Sequence, residues 1–384
     1  MPDVFEIANV FVEHALRAHE GEIAIIIYYG SYAKGTASPR SDLDLCYIAD
    51  AGKARSLSSQ FVLDGLPYDF WPISWAFAES IANADSGRPW AVAASLIAHA
   101  RVLYHRSEED LARFEALQAR IEALTQPEQR PLMIEKALDA YKDVLFQAGQ
   151  VRLAVQASDA DGAHWAAQQL VNDAANCLAL MNQTYFSKGW GANFDQILTL
   201  PERPADLDAL MRGVLTPESV DHLPAAADRL ARAVRVTLRD AQRSIAEPED
   251  AQEVFKNFYF FVFEYANKIF AAWEDRDVIG ARFAAFQLEE QILQFMNKVE
   301  QGFYPRPFNL LGEYLSGYEQ AGFPDLLTPA VEGDLDELVE RVRRLDAAMR
   351  AWLTEQGIDL GILESQQDLR DFLNARDPVV QNPS

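Results

Sequence analysis

The sequence predicts an α+β protein: a small mixed-sheet domain followed by two all-α helical bundles. Three observations predict it. Two β-branched, aromatic runs, EIAIIIYY (22–29) and LDLCYIA (43–49), lie within the first 50 residues. From Leu132 onward nearly every stretch carries helical periodicity. Residues in two later helical stretches also match at a constant separation of 118 positions, which predicts a duplicated bundle. The expected division is 1–126 for the sheet domain, 130–246 for the first bundle and 250–375 for the second. A chain of 384 residues suits two or three domains of roughly 100–200 residues each, and 49% hydrophobic content is enough to bury their cores.

The elements follow in order. Val4, Phe5, Ala8, Phe11, Val12, Ala15 and Leu16 fall at helical spacing and predict an amphipathic helix over 4–18. Glu22–Tyr29 reads as a buried strand that runs into Gly30-Ser31, and a second strand covers Leu43–Ala49. A polar segment, 50–59, leads to a third strand, about Phe61–Trp71, interrupted by Gly65 and Pro67. Helical patterns fill most of 75–125, and Pro127 and Pro131 mark a boundary, as Pro248 does later. The duplication is read from ungapped matches: Tyr141 with Tyr259, Val144 with Val262, Ala148 with Ala266, Ala154 with Ala272, Gly162 with Gly280, and Leu170 with Leu288.

Composition excludes several classes. A net charge of −24 repels phosphate polyanions and anionic lipid, so neither a long nucleic acid nor a membrane surface is an expected partner, whereas a cationic substrate is. Two cysteines, Cys46 and Cys177, are too few for a disulfide framework. Residues 1–20 lack a signal peptide's apolar core, and 257–273 is too short and polar to span a bilayer, so the expected setting is the cytoplasm. The six histidines show no zinc-site spacing.

The stretch YYGSYAKGTASPRSDLDL, 28–45, carries the chemistry. Gly30 lets the backbone approach a ligand, Ser31 adds a hydroxyl and an N–H, and Lys34 supplies a point charge for a polyphosphate. On a strand, Asp42 and Asp44 point to one face, and as hard oxygen ligands they suit Mg²⁺. Asp69, amid apolar residues in LPYDFW, is the third acid, because an isolated carboxylate there needs a partner or a metal.

This constellation resembles the nucleotidyltransferase superfamily related to DNA polymerase beta, and within it the kanamycin nucleotidyltransferases. Gly30, Ser31, Thr36, Pro39, Ser41, Asp42 and Asp44 match that family's loop without a gap. Lys34 stands where the family has arginine, and Asp44 where it has glutamate. FEYANK (263–268) resembles the family's Glu-Tyr-Ala-Gly-Lys helix, and 338–357 resembles its last helix. By that resemblance Glu264 is the general base and Lys268 a nucleotide-phosphate contact. The same positions in the first bundle are Phe146 and Gln150, which cannot do that work. Residues 130–250 read as an extra bundle that departs from the family. Independently of the family, burial in FYFFVFEY would raise the pKa of Glu264 toward neutrality, as suits a base. The plainer reading of Glu264 and Lys268 is a helical i,i+4 pair worth about 0.2–0.5 kcal/mol.

The resemblance implies Mg²⁺-dependent transfer of a nucleoside monophosphate, from ATP or another NTP, to a hydroxyl of a small cationic acceptor such as an aminoglycoside. Pyrophosphate leaves. Gly30, Ser31, Lys34, Thr36, Ser41 and Lys268 then hold the nucleotide, and Asp42, Asp44 and Asp69 the metal. The alternatives are transfer of AMP to a partner polypeptide and a non-catalytic nucleotide-binding protein. The expected state is a monomer, the extra bundle replacing a partner's helices, or a homodimer.

Overall fold

The computed structural model describes residues 4–19, 21–39, 41–50, 57–87, 89–187, 189, 193–306 and 308–376. Most of the polar connection expected at 50–59 lies outside the described residues. The chain forms two compact units, Met1–Ser244 and Ile245–Ser384.

The first unit begins with α1 (Val4–Ala18), β1 (Ile23–Tyr29), α2 (Gly30–Ala33), β2 (Leu43–Ala49), β3 (Ser59–Leu63) and β4 (Leu66–Ile73). It continues through α3 (Trp75–Ala82), α4 (Trp90–Ala98), β5 (Arg101–His105) and α5 (Glu108–Leu124). The five strands form one mixed sheet in the order β3-β4-β2-β1-β5. β2 and β4 are parallel; the other neighbours are antiparallel. Side chains alternate between the faces. Leu43, Leu45 and Tyr47 share a core with Val4, Ile7, Ala8 and Ala15 of α1, so Asp44 and Cys46 turn to the other face.

Two elements differ from the sequence reading. The single third strand is a hairpin, because Asp64 and Gly65 both take positive φ (49° and 78°) and reverse the chain between β3 and β4. Asp-Gly is favoured in such two-residue turns, where both central residues need that backbone region. The second difference is β5, placed inside the stretch read as helical. Five residues are too few for a strand period to stand out from the flanking helices.

The first bundle completes this unit: α6 (Arg130–Gln156), α7 (Ala160–Met181), α8 (Phe194–Leu198), α9 (Leu207–Leu215) and α10 (Leu223–Ile245). It is fastened to the sheet domain. Asn176 Oδ1 accepts from Ala91 N at 3.0 Å, Ala91 O accepts from Phe186 N at 2.6 Å, and Lys136 donates to Ala84 O at 3.2 Å.

The second unit comprises α11 (Ala251–Val254), α12 (Phe258–Glu274), α13 (Val278–Gln301), α14 (Ser316–Gln320), α15 (Leu327–Glu332), α16 (Leu335–Glu355) and α17 (Gln366–Arg376). Its core gathers Tyr259, Val262 and Ile269 of α12 with Leu288 and Ile292 of α13 and Leu345 and Met349 of α16. Phe255 packs edge-on to Phe258, Phe295 and Trp352. The aromatic run of α12 is only partly core: Phe258 and Tyr259 are buried, whereas Phe260 is 71% exposed. Among the described residues, no helix is long and apolar enough to cross a membrane.

Candidate active site

The sheet brings the acids of the sequence motif together. In the parallel pair, Asp44 of β2 lies directly across from Asp69 of β4, so both carboxylates leave the sheet on one face. Asp42, two positions before Asp44, precedes the strand on the same alternation. On the other side of β2, Tyr29 ends β1 opposite Asp44, and its hydroxyl accepts from the Trp71 indole N–H at 2.8 Å. Burial pushes the Tyr29 hydroxyl's pKa upward, and the Asp44 charge adds to this.

Gly30 turns the chain out of β1 at φ +72°, a conformation open to glycine. A Cβ at this position would stand 2.0 Å from Asp44 Oδ2, so the loop rests directly against the carboxylate and any side chain here would have to displace it. Burial raises the Asp44 pKa from its ordinary 3.8 to about 6. The neighbouring charges of Asp42 and Asp69 push the same way, and Lys34 opposes them. Asp69 Oδ1 is buried with no hydrogen-bond partner among the described residues.

A concentrated negative charge, an orphaned carboxylate oxygen and an all-oxygen donor set fit a hard divalent cation. Among the described residues, however, no group of three such side chains is drawn tightly enough to form a metal centre. The acids share a face and feel one another, but they are not closed around a common point.

The other loop residues hold the loop's own shape. Thr36 N donates to Ser31 O at 2.9 Å, and Ser41 Oγ accepts from Ser38 N at 2.8 Å. Lys34 donates to Ser187 O of the segment after α7, so its ammonium is not the free charge that the sequence suggested.

Glu264 and Lys268 lie on α12, in the second unit. They pair with each other at 2.8 Å, with the Lys268 ammonium 4.1 Å from the centre of the Tyr265 ring. The expected burial of Glu264 is absent, since its side chain is 41% exposed. The aromatic residues of this helix turn either inward, as Tyr259 does, or to solvent, as Phe260 and Phe263 do; none of this buries position 264.

Sequence reasoning did not single out Tyr29, Trp71, Ser187, His99 or Arg101. Tyr29 and Trp71 flank the motif residues in the two strands, and that adjacency was the available signal. Ser187 lies 153 positions from Lys34, and no local pattern announces such a contact.

Two protein families match the chain. The one described as the nucleotidyltransferase domain matches residues 12–119, and the one described as the KNTase C-terminal domain matches residues 111–236. Together they span more than half of the chain. The second match falls on the first bundle, which corrects the expectation that residues 130–250 depart from the family. Phe146 and Gln150 lie within the matched region, and Glu264 and Lys268 lie outside it. A solved structure of a nucleotidyltransferase-like protein from Exiguobacterium sibiricum 255-15 aligns with 65% of this chain and 82% of its own, at 12% identity and a TM-score of 0.36. No curated protein matches the chain.

Proposed function

Because the chain belongs to the nucleotidyltransferase superfamily, close to the kanamycin nucleotidyltransferases, we propose that it moves a nucleoside monophosphate from an NTP, ATP first among them, to a hydroxyl of a small cationic acceptor of aminoglycoside type. The observation that carries this reading is the face shared by Asp44 and Asp69 across β2 and β4, with Gly30 set against Asp44.

Asp42, Asp44 and Asp69 are the residues that would hold Mg²⁺. A bound divalent cation neutralises charge on the transferring phosphoryl group and helps align the displacement. The chain's own contributions are positional. Gly30 admits the phosphate close to the carboxylates, and the Ser38–Ser41 bonds fix the loop that leads back into β2. The bond from the Trp71 indole to the Tyr29 hydroxyl ties β4 to the end of β1. Glu264 is the residue to which we assign the acceptor's proton, on the strength of the FEYANK resemblance. The acidic surface favours a polycationic acceptor.

The test is to incubate the protein with each NTP, Mg²⁺ and a panel of aminoglycosides, following pyrophosphate and the acceptor's mass. The expected result is stoichiometric pyrophosphate with an acceptor heavier by one nucleoside monophosphate. Label appearing in a polypeptide, or no product from any pair, removes the small-acceptor reading.

A further inference from the structure

A cavity of about 550 Å³ opens beside the Gly-Ser loop, inside the first unit. Lys34, at the end of α2, forms one wall. His99 and Arg101, at the corner between α4 and β5, form another, and Gln118, Glu122 and Tyr185 complete it. In a chain with a net charge of −24, this cavity collects three basic side chains against a single acid.

The corner is built to hold them there. Gln118 donates from one amide nitrogen to Ile97 O at 2.9 Å and to Ala100 O at 3.0 Å, which pins the backbone on both sides of His99. The Tyr185 ring packs against His99 at 5.5 Å and against Trp90 at 5.8 Å. Arg101 pairs with Tyr28 in the β1–β5 register, so it sits at the end of the sheet where the chain enters Gly30. Burial holds the His99 pKa below the usual range, and the charges of Lys34 and Arg101 push the same way. Lys34 gives one N–H to Ser187 O, and an ammonium has two more to offer.

Basic groups held together in this way repel one another and are relieved by an anion with several acceptors. Arginine's planar fork matches phosphate oxygens in particular. We propose that the cavity receives a condensed phosphate chain, the tail of the NTP and the pyrophosphate it becomes, and that Arg101 and His99 join Lys34 as its ligands. The inference rests on the nucleotidyltransferase reading and adds two phosphate-binding residues to it.

The test is calorimetric titration of the full chain, without metal, using inorganic tripolyphosphate, ATP and adenosine as separate probes. Wild type, Arg101→Gln, Arg101→Lys and His99→Gln are compared with Arg152→Gln. The last removes an equal charge from the same unit at a surface pair with Asp228. The expected result is tripolyphosphate affinity at least tenfold weaker in Arg101→Gln, partly recovered in Arg101→Lys, weaker in His99→Gln and unchanged in Arg152→Gln. ATP should follow the same order, with adenosine indifferent to all of them. Equal tripolyphosphate affinity in wild type and Arg101→Gln overturns the proposal. So does ATP binding undiminished at saturating tripolyphosphate, which would make the cavity a separate polyphosphate site. If the Arg101 dependence appears while wild type forms no pyrophosphate from any NTP, the phosphate ligands stand and the transfer reading falls.

Discussion

The two helical hairpins, α6–α7 and α12–α13, share one plan and differ in chemistry. The separation of 118 positions recurs in features that only the folded chain reveals. Ser158 and Arg276 both take positive φ (58° and 53°), and Asp159 and Asp277 each cap the next helix through the backbone N–H of Gly162 or Gly280 at 2.9 Å. A Cβ on either glycine would strike the capping carboxylate, at 2.2 Å in one and 2.3 Å in the other. Several matched residues are buried in both copies: Tyr141 and Tyr259, Val144 and Val262, Ala163 and Ala281, Leu170 and Leu288. What repeats is packing and capping. What diverges is side-chain chemistry: Phe146 against Glu264, Gln150 against Lys268 and, inside the core, Val171 against Glu289. The shared turns and most of the shared apolar core are kept, while polar chemistry changes both at half-exposed positions and, at Glu289, inside the core.

Between the two hairpins, the largest effect expected is at position 264. If only the second hairpin carries the base, Glu264→Gln lowers kcat by about 10²–10⁴-fold with the circular-dichroism spectrum intact. Phe146→Ala in the first hairpin leaves kcat within about twofold, since that ring is already 59% exposed. Equal losses in the two variants would break the comparison.

A smaller effect concerns Glu289, which is 3% exposed and donates nothing, accepting instead from Leu326 N at 2.6 Å. Burial, with a contribution from Asp325, raises its pKa from 4.5 to about 7; the backbone bonds from Leu326 and Leu327 and the charge of Arg341 oppose this. The unfolded chain therefore ionises this group first. Its charging costs stability as pH rises from about 4.5 to about 7, and the cost is complete above that. Glu289→Gln keeps an acceptor and removes the charge. Urea unfolding should show the variant more stable than wild type by about 1–3 kcal/mol at pH 8, with little difference at pH 4.5. The opposite sign would mean that the carboxylate is stabilised by its surroundings.

The smallest effect should be shared. Asp159→Ala and Asp277→Ala each remove one N-terminal cap and should each cost about 0.5–2 kcal/mol in the same unfolding assay. A cost in one alone would show that the second cap is not equivalent.

Much of this was legible in the sequence, and the reasons vary by element. β1 and β2 announce themselves through β-branched runs, and the Asp-x-Asp alternation predicts one face for both carboxylates. That Asp69 would stand across from Asp44 required the parallel register of β2 and β4, a long-range pairing that local patterns only suggest. The Asp64-Gly65 turn is written in the dipeptide, which reads as an interruption of one strand until the β3–β4 pairing is seen. Glu264 stays half-exposed because an aromatic-rich helix need not bury every position; the outward side of α12 carries Phe260. The tie of Lys34 to Ser187, and the gathering of His99 and Arg101 beside it, depend on tertiary contacts with no sequence signature.

The central claim is that Asp44 and Asp69, set side by side against Gly30, form the transfer centre. The most direct measurement is Mg²⁺-dependent pyrophosphate release from ATP in the presence of an aminoglycoside acceptor, comparing wild type with Asp69→Asn. The substitution keeps the shape of a half-buried strand residue and removes its charge. The account predicts a rate at least 10³-fold lower, with the fold intact by circular dichroism. An Asp69→Asn protein that releases pyrophosphate at the wild-type rate would contradict it.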